Sequence, residues 1–364
     1  MGKGLFLLNN FRILHILTSA RSEGTPRLVQ DWLSVYGYDQ FVLLMNNHPN
    51  DLINEFNIAA KDLIVNHDNL GRNALSRWIN RLRITKKVTQ KYKPDLVISW
   101  NQGHSHWHLI GSRLGGCKKL ISHAGNPPHY STFKERLYNY FLYIPLFVIA
   151  AKVVACSEYI KSEFYKLKLL PERLFYSVYN CAHIERFDLP AKAKNYDVVM
   201  VATIESHKDH DTLLKAWQKV NEANNNMKLA LAGDGRLMDH YKKLAKSLNL
   251  QGVYFLGSVN NIPDLLSESD IFVLSTTEQE GFGTVLVEAL AAGKYIIASD
   301  VPACREVLKD GMYGDLVPKR NPEELAKKIL SAKKNEQQTM HNKEYSKQFT
   351  PEIMVKKYIS IANG

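Results

Sequence analysis

Short apolar runs recur along the chain, separated by longer segments of mixed polarity. In the first half the runs are 12–17, 40–45, 63–65, 94–100, 118–122 and 152–156. Each has the length and branched, apolar character of a strand buried on both faces. Between them lie helical stretches with their own punctuation. Thr25 before Pro26 reads as an N-cap with proline at the first helical position, and Gly37 lies just past the expected end at Val35. In 72–93, Leu75, Trp78, Ile79, Leu82 and Val88 fall near helical spacing, which predicts a helix packed on its sheet through that stripe. The aromatic-rich segment 133–151 predicts a buried helix broken at Pro145, with an interfacial patch as the alternative.

After a polar stretch at 188–195 with Pro190 and alternating Ala and Lys, the same alternation restarts. Strands are expected at 197–202, 228–232, 253–257, 271–274 and 295–298, and helices at 322–332 and from about Pro351. Strands alternating with helices throughout predict an α/β protein of two doubly wound domains. The expected divisions are 1–188, 189–350 and a C-terminal helix over 351–364.

The segment with most chemical content follows the run Ile271-Phe272-Val273-Leu274. Gly281 and Gly283 allow a sharp turn, Thr284 to Ala292 are helix formers, and Gly293 is placed to end the helix. A strand, a glycine loop and a helix start make an anion site from free N–H groups and the helix dipole. Glu280 sits in the loop. Glu288, among Leu286, Val287, Ala289 and Leu290, needs partners, and the two hydroxyls of a ribose would supply them. An ordinary βα turn, with Glu288 capping a neighbouring loop, is the alternative.

Charge separates the two halves. Residues 1–188 hold 24 Lys and Arg against 14 Asp and Glu, the remainder 23 against 22, so nearly all of the net +11 lies in the first half. A basic first domain favours an anionic partner: a membrane surface, a phosphorylated lipid or nucleic acid. Within 72–93, Arg77, Arg81, Lys86 and Lys87 are the candidates to face anionic lipid. Nucleic acid is disfavoured because no recognition motif accompanies the basic segment. The four cysteines form no C-x-x-C pair and read as reduced thiols. Leu5-Phe6-Leu7-Leu8 is too short for a signal sequence, and no apolar run reaches the ~18 residues of a membrane span. A cytoplasmic protein, peripheral on the inner membrane face, is the expectation. His104, His106 and His108 alternate, but in a loop entering a helix rather than on a strand, so a metal site is not expected.

Glu280 and Glu288, seven residues apart around Gly281-Phe282-Gly283, resemble the E-x7-E signature of retaining glycosyltransferases, closest to glycosyltransferase family four with the GT-B fold. Other stretches resemble that family in the same order. His123 matches the histidine ending the family's fifth strand, and Ala155-Cys156-Ser157 its strand-to-serine turn. Tyr179–Phe187 resembles its P-N-G-V-D-x-x-R-F stretch, and Ser299–Glu306 its S-D-V-P-G-C-R-E. Thr203–Lys208 resembles its G-R-L-x-x-x-K turn, with the lysine at Lys208 and Thr203 in the arginine's place.

The resemblance implies two Rossmann-like domains facing a central cleft, and sugar transfer from a nucleotide diphosphate sugar, UDP expected. The acceptor would be a saccharide or lipid-linked saccharide of cell-surface polysaccharide synthesis. Glu280 would orient the sugar with His123 opposite. Glu288 would hold the ribose, and Lys208 with the backbone at Gly281, Phe282, Gly283 and Thr284 would hold the diphosphate. The loop Glu23, Gly24, Thr25 would border the cleft. No cofactor and no metal is implied beyond the substrate. A degenerate, non-catalytic sugar-nucleotide binder and a sugar-nucleotide epimerase of the same fold are the alternatives.

Overall fold

The computed structural model describes residues 11–21, 24–68, 70–168, 171–190, 192–333 and 335–364. Glu23 and the Leu5–Leu8 run lie outside the described residues. The chain divides into two compact units, Met1–Asn180 with Pro351–Gly364, and Cys181–Thr350.

In chain order the first unit comprises β1 (Arg12–Leu17), α1 (Gly24–Leu33), β2 (Asp39–Leu44), α2 (Ile53–Ala59), β3 (Asp62–Val65), α3 (Ala74–Tyr92) and β4 (Leu96–Ser99). It continues through α4 (Ser105–Leu114), β5 (Lys119–Ala124), α5 (Phe133–Val148), β6 (Lys152–Ala155), α6 (Glu158–Lys166) and β7 (Phe175–Ser177). The C-terminal helix Pro351–Asn363 completes it. The sheet order is β3-β2-β1-β4-β5-β6-β7, with every pairing parallel. From β1 the chain winds one way to β3, then crosses back beside β1 to lay down β4. The switch point therefore lies between β1 and β4, where open α/β sheets leave a crevice at the strands' carboxyl ends.

The second unit repeats the plan with β8 (Tyr196–Val201), α7 (His210–Ala223), β9 (Leu229–Ala232), α8 (Met238–Ser247), β10 (Val253–Gly257), α9 (Ile262–Ser267) and β11 (Ser269–Leu274). Then come α10 (Thr284–Ala291), β12 (Tyr295–Ser299), α11 (Pro302–Val307), β13 (Asp315–Val317), α12 (Pro322–Ser331) and α13 (Glu336–Ser346). Its order is β10-β9-β8-β11-β12-β13, again all parallel, so its switch point lies between β8 and β11. The central strands are buried on both faces, as their near-continuous apolar runs require.

Four sequence expectations need correcting. Helix α1 begins at Gly24, so Thr25 is a helical residue rather than its cap. Pro145 does not break α5; it sits in the last turn, where the N–H it lacks costs a single bond, and the helix runs on to Val148.

Helix α5 is also not buried. Asn139, Leu142, Tyr143 and Leu146 face inward, whereas Phe133, Leu137, Tyr138, Tyr140, Phe141, Ile144, Phe147 and Val148 are exposed, Phe133 and Val148 by more than 70% (79% and 75%).

Helix α3 does not pack through its apolar stripe: Leu75 and Ile79 are exposed, and the buried line is Arg81, Thr85 and Thr89. The reason is the close approach of α4. A Cβ on Gly111 would lie 1.9 Å from Thr85 Oγ1, and one on Gly115 would lie 2.6 Å from Thr89 Cβ. Two glycines let small polar side chains bury where a leucine would not fit. Arg81 therefore does not belong to the lipid-facing set, from which Arg77 and Lys87 remain exposed and Lys86 half-buried.

Candidate active site

In the second unit the loops after β8 and β11 meet at the switch point. Thr277 N–H donates to the His207 carbonyl (3.0 Å), as does Thr276 Oγ1 (3.0 Å), and Thr276 N–H donates to Ser299 Oγ at the end of β12 (3.0 Å). These bonds lash three strand ends together and fix the loop that carries Glu280. Glu280 is only 8% exposed, and its N–H donates to the Thr277 carbonyl (3.0 Å). Its carboxylate is paired with the Lys208 ammonium. Desolvation pushes the Glu280 carboxyl upward, but Lys208, with smaller help from His207 and the Phe282 N–H, outweighs it and holds the group below the usual carboxylate range.

Lys208 owes its position to a helix cap. Asp209 adopts a left-handed conformation (φ 35°) and starts α7, its Oδ2 accepting from Thr212 Oγ1 at 2.8 Å. The lysine thus ends the β8 loop and reaches toward the β11 loop. Burial and the Lys208 charge lower the His207 imidazole, so it is neutral near pH 7.

Gly283 is the N-cap of α10 at φ 81°, a conformation only glycine adopts cheaply. No side chain caps this end, and the N–H groups of Thr284 and Val285 donate to no acceptor among the described residues. Leu286, Val287, Ala289, Leu290 and Ala291 are buried, whereas Thr284, Val285 and Glu288 form the half-buried face. Thr284 and Glu288 are one turn apart on that face, so the free amides and the second carboxylate share one side of the helix. Phe282 points the other way: its ring is buried against Phe349 (5.8 Å), leaving its backbone as its contribution to the loop.

Thr203, in the arginine's place, precedes a loop pressed on the β9 turn. Ile204 N–H donates to the Asp234 carbonyl (2.9 Å), and a Cβ on Gly235 would lie 2.3 Å from the Ile204 carbonyl oxygen. Arg236 from that turn forks onto Glu205, with Nη2 at 2.8 Å and Nε at 3.1 Å.

The first unit has its own cavity, of about 310 Å³, at its switch point. Thr18, Arg21, Thr25, Asn101, Gln102 and His123 are among its lining residues, which includes one member of the predicted 23–25 loop. His123 is buried near the end of β5, and its Nδ1 lies 2.8 Å from the Tyr358 hydroxyl of the C-terminal helix. Burial pushes the imidazole down to about 3, so it is neutral. Its ring leans on Trp100 (4.8 Å between centroids), whose Nε1 donates to His15 Nδ1 (3.1 Å). Gln102 is held by Asn126 and Tyr143, its Nε2 lying 3.1 Å from the Tyr143 hydroxyl.

His104, His106 and His108 do not converge. His108 Nδ1 is 3.0 Å from Ser99 Oγ, and His106 lies between Trp107 and Phe141. Among the described residues no cluster of three or more metal-ligating side chains occurs, and no helix is long and apolar enough to cross a membrane. Tyr358, Ser299 and His207 were not singled out from sequence. Each acts through a contact distant in the chain; Ser299 and His207 lie in stretches that carry the family resemblance, but nothing local gives their contacts, and no pattern marks Tyr358.

Residues 183–349 match the family described as glycosyl transferases group 1. An uncharacterized glycosyltransferase of Methanocaldococcus jannaschii is 27% identical over 299 residues, covering 77% of this chain and 78% of its own. The phosphatidyl-myo-inositol mannosyltransferase of Mycobacterium tuberculosis is 36% identical over 124 residues, 33% of this chain and 32% of its own. Among solved structures, Anabaena Alr3699/HepE in complex with UDP-glucose superposes with a TM-score of 0.81 at 19% identity, covering 97% of this chain and 99% of that one. WaaG, a glycosyltransferase involved in lipopolysaccharide biosynthesis, gives 0.72 at 17% identity, covering 97% and 100%. The chain has the GT-B fold of these solved structures, two parallel-sheet Rossmann-like α/β domains, and residues 183–349 of its second domain are similar to the group 1 glycosyl transferases.

Proposed function

We propose that the chain transfers a sugar, with retention of anomeric configuration, from a nucleoside diphosphate sugar to a saccharide or lipid-linked saccharide, with UDP as the nucleotide. The observation carrying this reading is the Lys208–Glu280 pair beside the uncapped start of α10 at the second domain's switch point. That is a place where a diphosphate gains backbone donors, a helix dipole and a cation together. The UDP-glucose held by a protein of the same fold supports it.

In this reading Glu288 accepts from both ribose hydroxyls. The N–H groups of Thr284 and Val285 bind the diphosphate. Lys208 has three donors, so it keeps its bond to Glu280 while offering another N–H to a phosphate oxygen. As the sugar–phosphate bond lengthens, negative charge grows on the leaving oxygen, and these donors bind it more tightly than in the ground state. Glu280, held ionised, orients the sugar hydroxyls. The acceptor hydroxyl attacks from the leaving-group face, and the diphosphate takes its proton. Neutral His123, with one nitrogen committed to Tyr358, offers the other as a hydrogen-bond partner to a sugar hydroxyl.

The exposed aromatic face of α5 adjoins α3 through Phe141 and Trp78 (5.5 Å), and α3 exposes Arg77, Arg83 and Lys87. Apolar side chains flanked by cations suit an anionic bilayer surface, and we assign peripheral membrane association to this face.

A thermal-shift screen against UDP-, GDP-, ADP- and dTDP-sugars, followed by proton NMR of the anomeric product, tests the reading. Binding of one nucleotide class and an α-linked product from an α-linked donor are expected. Binding with neither donor hydrolysis nor transfer would leave the non-catalytic alternative.

A further inference from the structure

The hydrogen bonds behind Trp100 run in one direction. Gln40 Nε2 donates to the Leu33 and Val35 carbonyls (3.3 and 3.0 Å), so Gln40 Oε1 is the acceptor in its contact with His15 Nε2 (3.3 Å), and His15 carries its proton on Nε2. His15 Nδ1 is then bare and accepts from Trp100 Nε1 (3.1 Å). This relay from the end of α1 locks the Trp100 indole in one orientation. The His123 ring leans on that indole (4.8 Å), and the Tyr358 ring stacks on it (5.9 Å, 27° between planes) while Trp32 closes on Tyr358 edge-on (4.9 Å).

Within that frame the Tyr358 hydroxyl lies 2.8 Å from His123 Nδ1, both residues being buried. A phenol is a stronger acid than a neutral imidazole N–H, and an imidazole nitrogen a stronger base than a phenol oxygen, so the proton in this contact belongs to Tyr358. Nδ1 is then the bare nitrogen, and the single proton of the neutral ring sits on Nε2. The opposite direction, Nδ1–H donating to the phenol oxygen, would leave Nε2 an acceptor. A Cβ on Gly125 would lie 3.4 Å from His123 Nε2, and Gly125 lines the first domain's cavity together with His123 and Asn126. Glycine at this position therefore leaves the Nε2 edge uncovered on the cavity side.

We propose that Tyr358 is a positioning residue: its O–H, donated to Nδ1, holds His123 as the Nε2–H tautomer, so that the first domain's cavity presents an N–H donor to an oxygen acceptor of its ligand. A hydroxyl or carbonyl oxygen meets that donor. A group with donors alone, such as the ammonium of an amino sugar, does not. That the ligand is a sugar rests on the glycosyl-transfer reading, whereas the fixed tautomer does not. The C-terminal helix thereby sets the polarity of a site built by the loops after β1, β4 and β5.

The test uses the full chain with isotope-labelled histidine, read by NMR of the His123 ring nitrogens, which are assigned by their loss in His123→Ala. Near pH 7 the wild type should show Nε2 protonated and Nδ1 bare. Tyr358→Phe keeps the ring between Trp32 and Trp100 and removes only the hydroxyl, so His123 should become a mixture of both tautomers. A proton on Nδ1 in the wild type, or the same single Nε2–H tautomer in Tyr358→Phe, overturns the proposal. Should Tyr358→Phe fail to fold, a fluorotyrosine at position 358 retains the hydroxyl and makes it more acidic; the Nδ1 resonance should then move, and a resonance left in place overturns the proposal. Turnover across the UDP-, GDP-, ADP- and dTDP-sugars is measured alongside. Tyr358→Phe should lower kcat about three- to tenfold, the loss of one hydrogen bond, with UDP affinity unchanged. A redistributed tautomer with kcat unchanged overturns the role assigned to Nε2–H. A wild type with the expected tautomer that turns over no nucleotide sugar removes the glycosyl-transfer reading and leaves the Tyr358–His123 assignment standing.

Discussion

The Lys208 ammonium and the Glu280 carboxylate form an ion pair that joins the loops after β8 and β11, the two strands flanking the second domain's switch point. Neither group is expendable to the other. Removing Lys208 leaves Glu280 buried without its counter-ion, and such a loss costs about 3–5 kcal/mol. Lys208→Ala should therefore lower the denaturation midpoint of the second domain as well as nucleotide affinity, whereas the double variant Lys208→Met/Glu280→Leu should recover stability without recovering binding. Chemical denaturation monitored alongside UDP binding checks both halves.

The same pair fixes the sign of a pH effect. With Lys208 present, Glu280 titrates below its unfolded value, so its contribution to stability is present above about pH 4.5 and is lost as pH falls through the depressed folded value. In Lys208→Ala, desolvation is opposed only by the smaller effects of His207 and the Phe282 N–H, and the folded value rises. Lowering the pH from 7 toward 5 should then stabilise the variant relative to the wild type. Denaturant midpoints at those two pH values give the comparison.

Acid should weaken the first domain for a different reason. Burial lowers His15 to about 4 and His123 to about 3. Both are bases with depressed folded values, so the stability they contribute is present above about pH 6.5 and is lost as pH falls toward those values. A difference of that size is on the order of 3 kcal/mol for His15. His15→Gln should flatten the pH dependence of unfolding between pH 6.5 and 4.5, followed by Trp100 fluorescence.

Glu288 and Gly283 separate binding from folding on α10. Glu288 is half-buried on the face shared with the free amides, so Glu288→Ala should leave the melting temperature within about 2 °C, the response to a fraction of a kcal/mol. UDP affinity should fall about tenfold, as expected for losing hydrogen bonds to a charged acceptor. Gly283→Ala forces a Cβ into the left-handed region and to 3.2 Å from Leu286 Cδ1, costing about 1–2 kcal/mol. Calorimetric titration with UDP and thermal melts of the two variants make the contrast.

On the membrane-facing side, Phe133→Ser with Val148→Ser and Arg83→Gln with Lys87→Gln should each reduce binding to anionic vesicles, the first pair at any ionic strength and the second chiefly at low salt. Co-sedimentation at two salt concentrations reads both effects.

The alternation of apolar runs was legible enough to place eleven of the thirteen strands among the described residues, because a strand buried on two faces needs such a run, whereas the three-residue edge strands β7 and β13 are too short to show one. The strand–glycine–helix reading of 271–293 held for the same reason: Gly283 does take a left-handed conformation and Gly293 does follow the helix end. What the sequence hid was set by neighbours. Thr85 and Thr89 are buried only because Gly111 and Gly115 face them, so a stripe of leucines, tryptophan and isoleucine misled where small residues decided. Arg81 reads as one basic residue among eight until that packing removes it from solvent. The aromatic residues of α5 read as core for want of any local sign that nothing covers them. Tyr358 reaches His123 across 235 positions of sequence.

The central claim is that a nucleotide sugar's diphosphate sits against Lys208 and the start of α10. Calorimetric titration of the full chain with UDP and UDP-sugars, beside Glu288→Ala and Lys208→Ala, measures it most directly. One saturable site in the wild type, weakened about tenfold or more in each variant, is the predicted result. Nucleotide binding that neither substitution changes, or no binding of any nucleotide sugar, would contradict it.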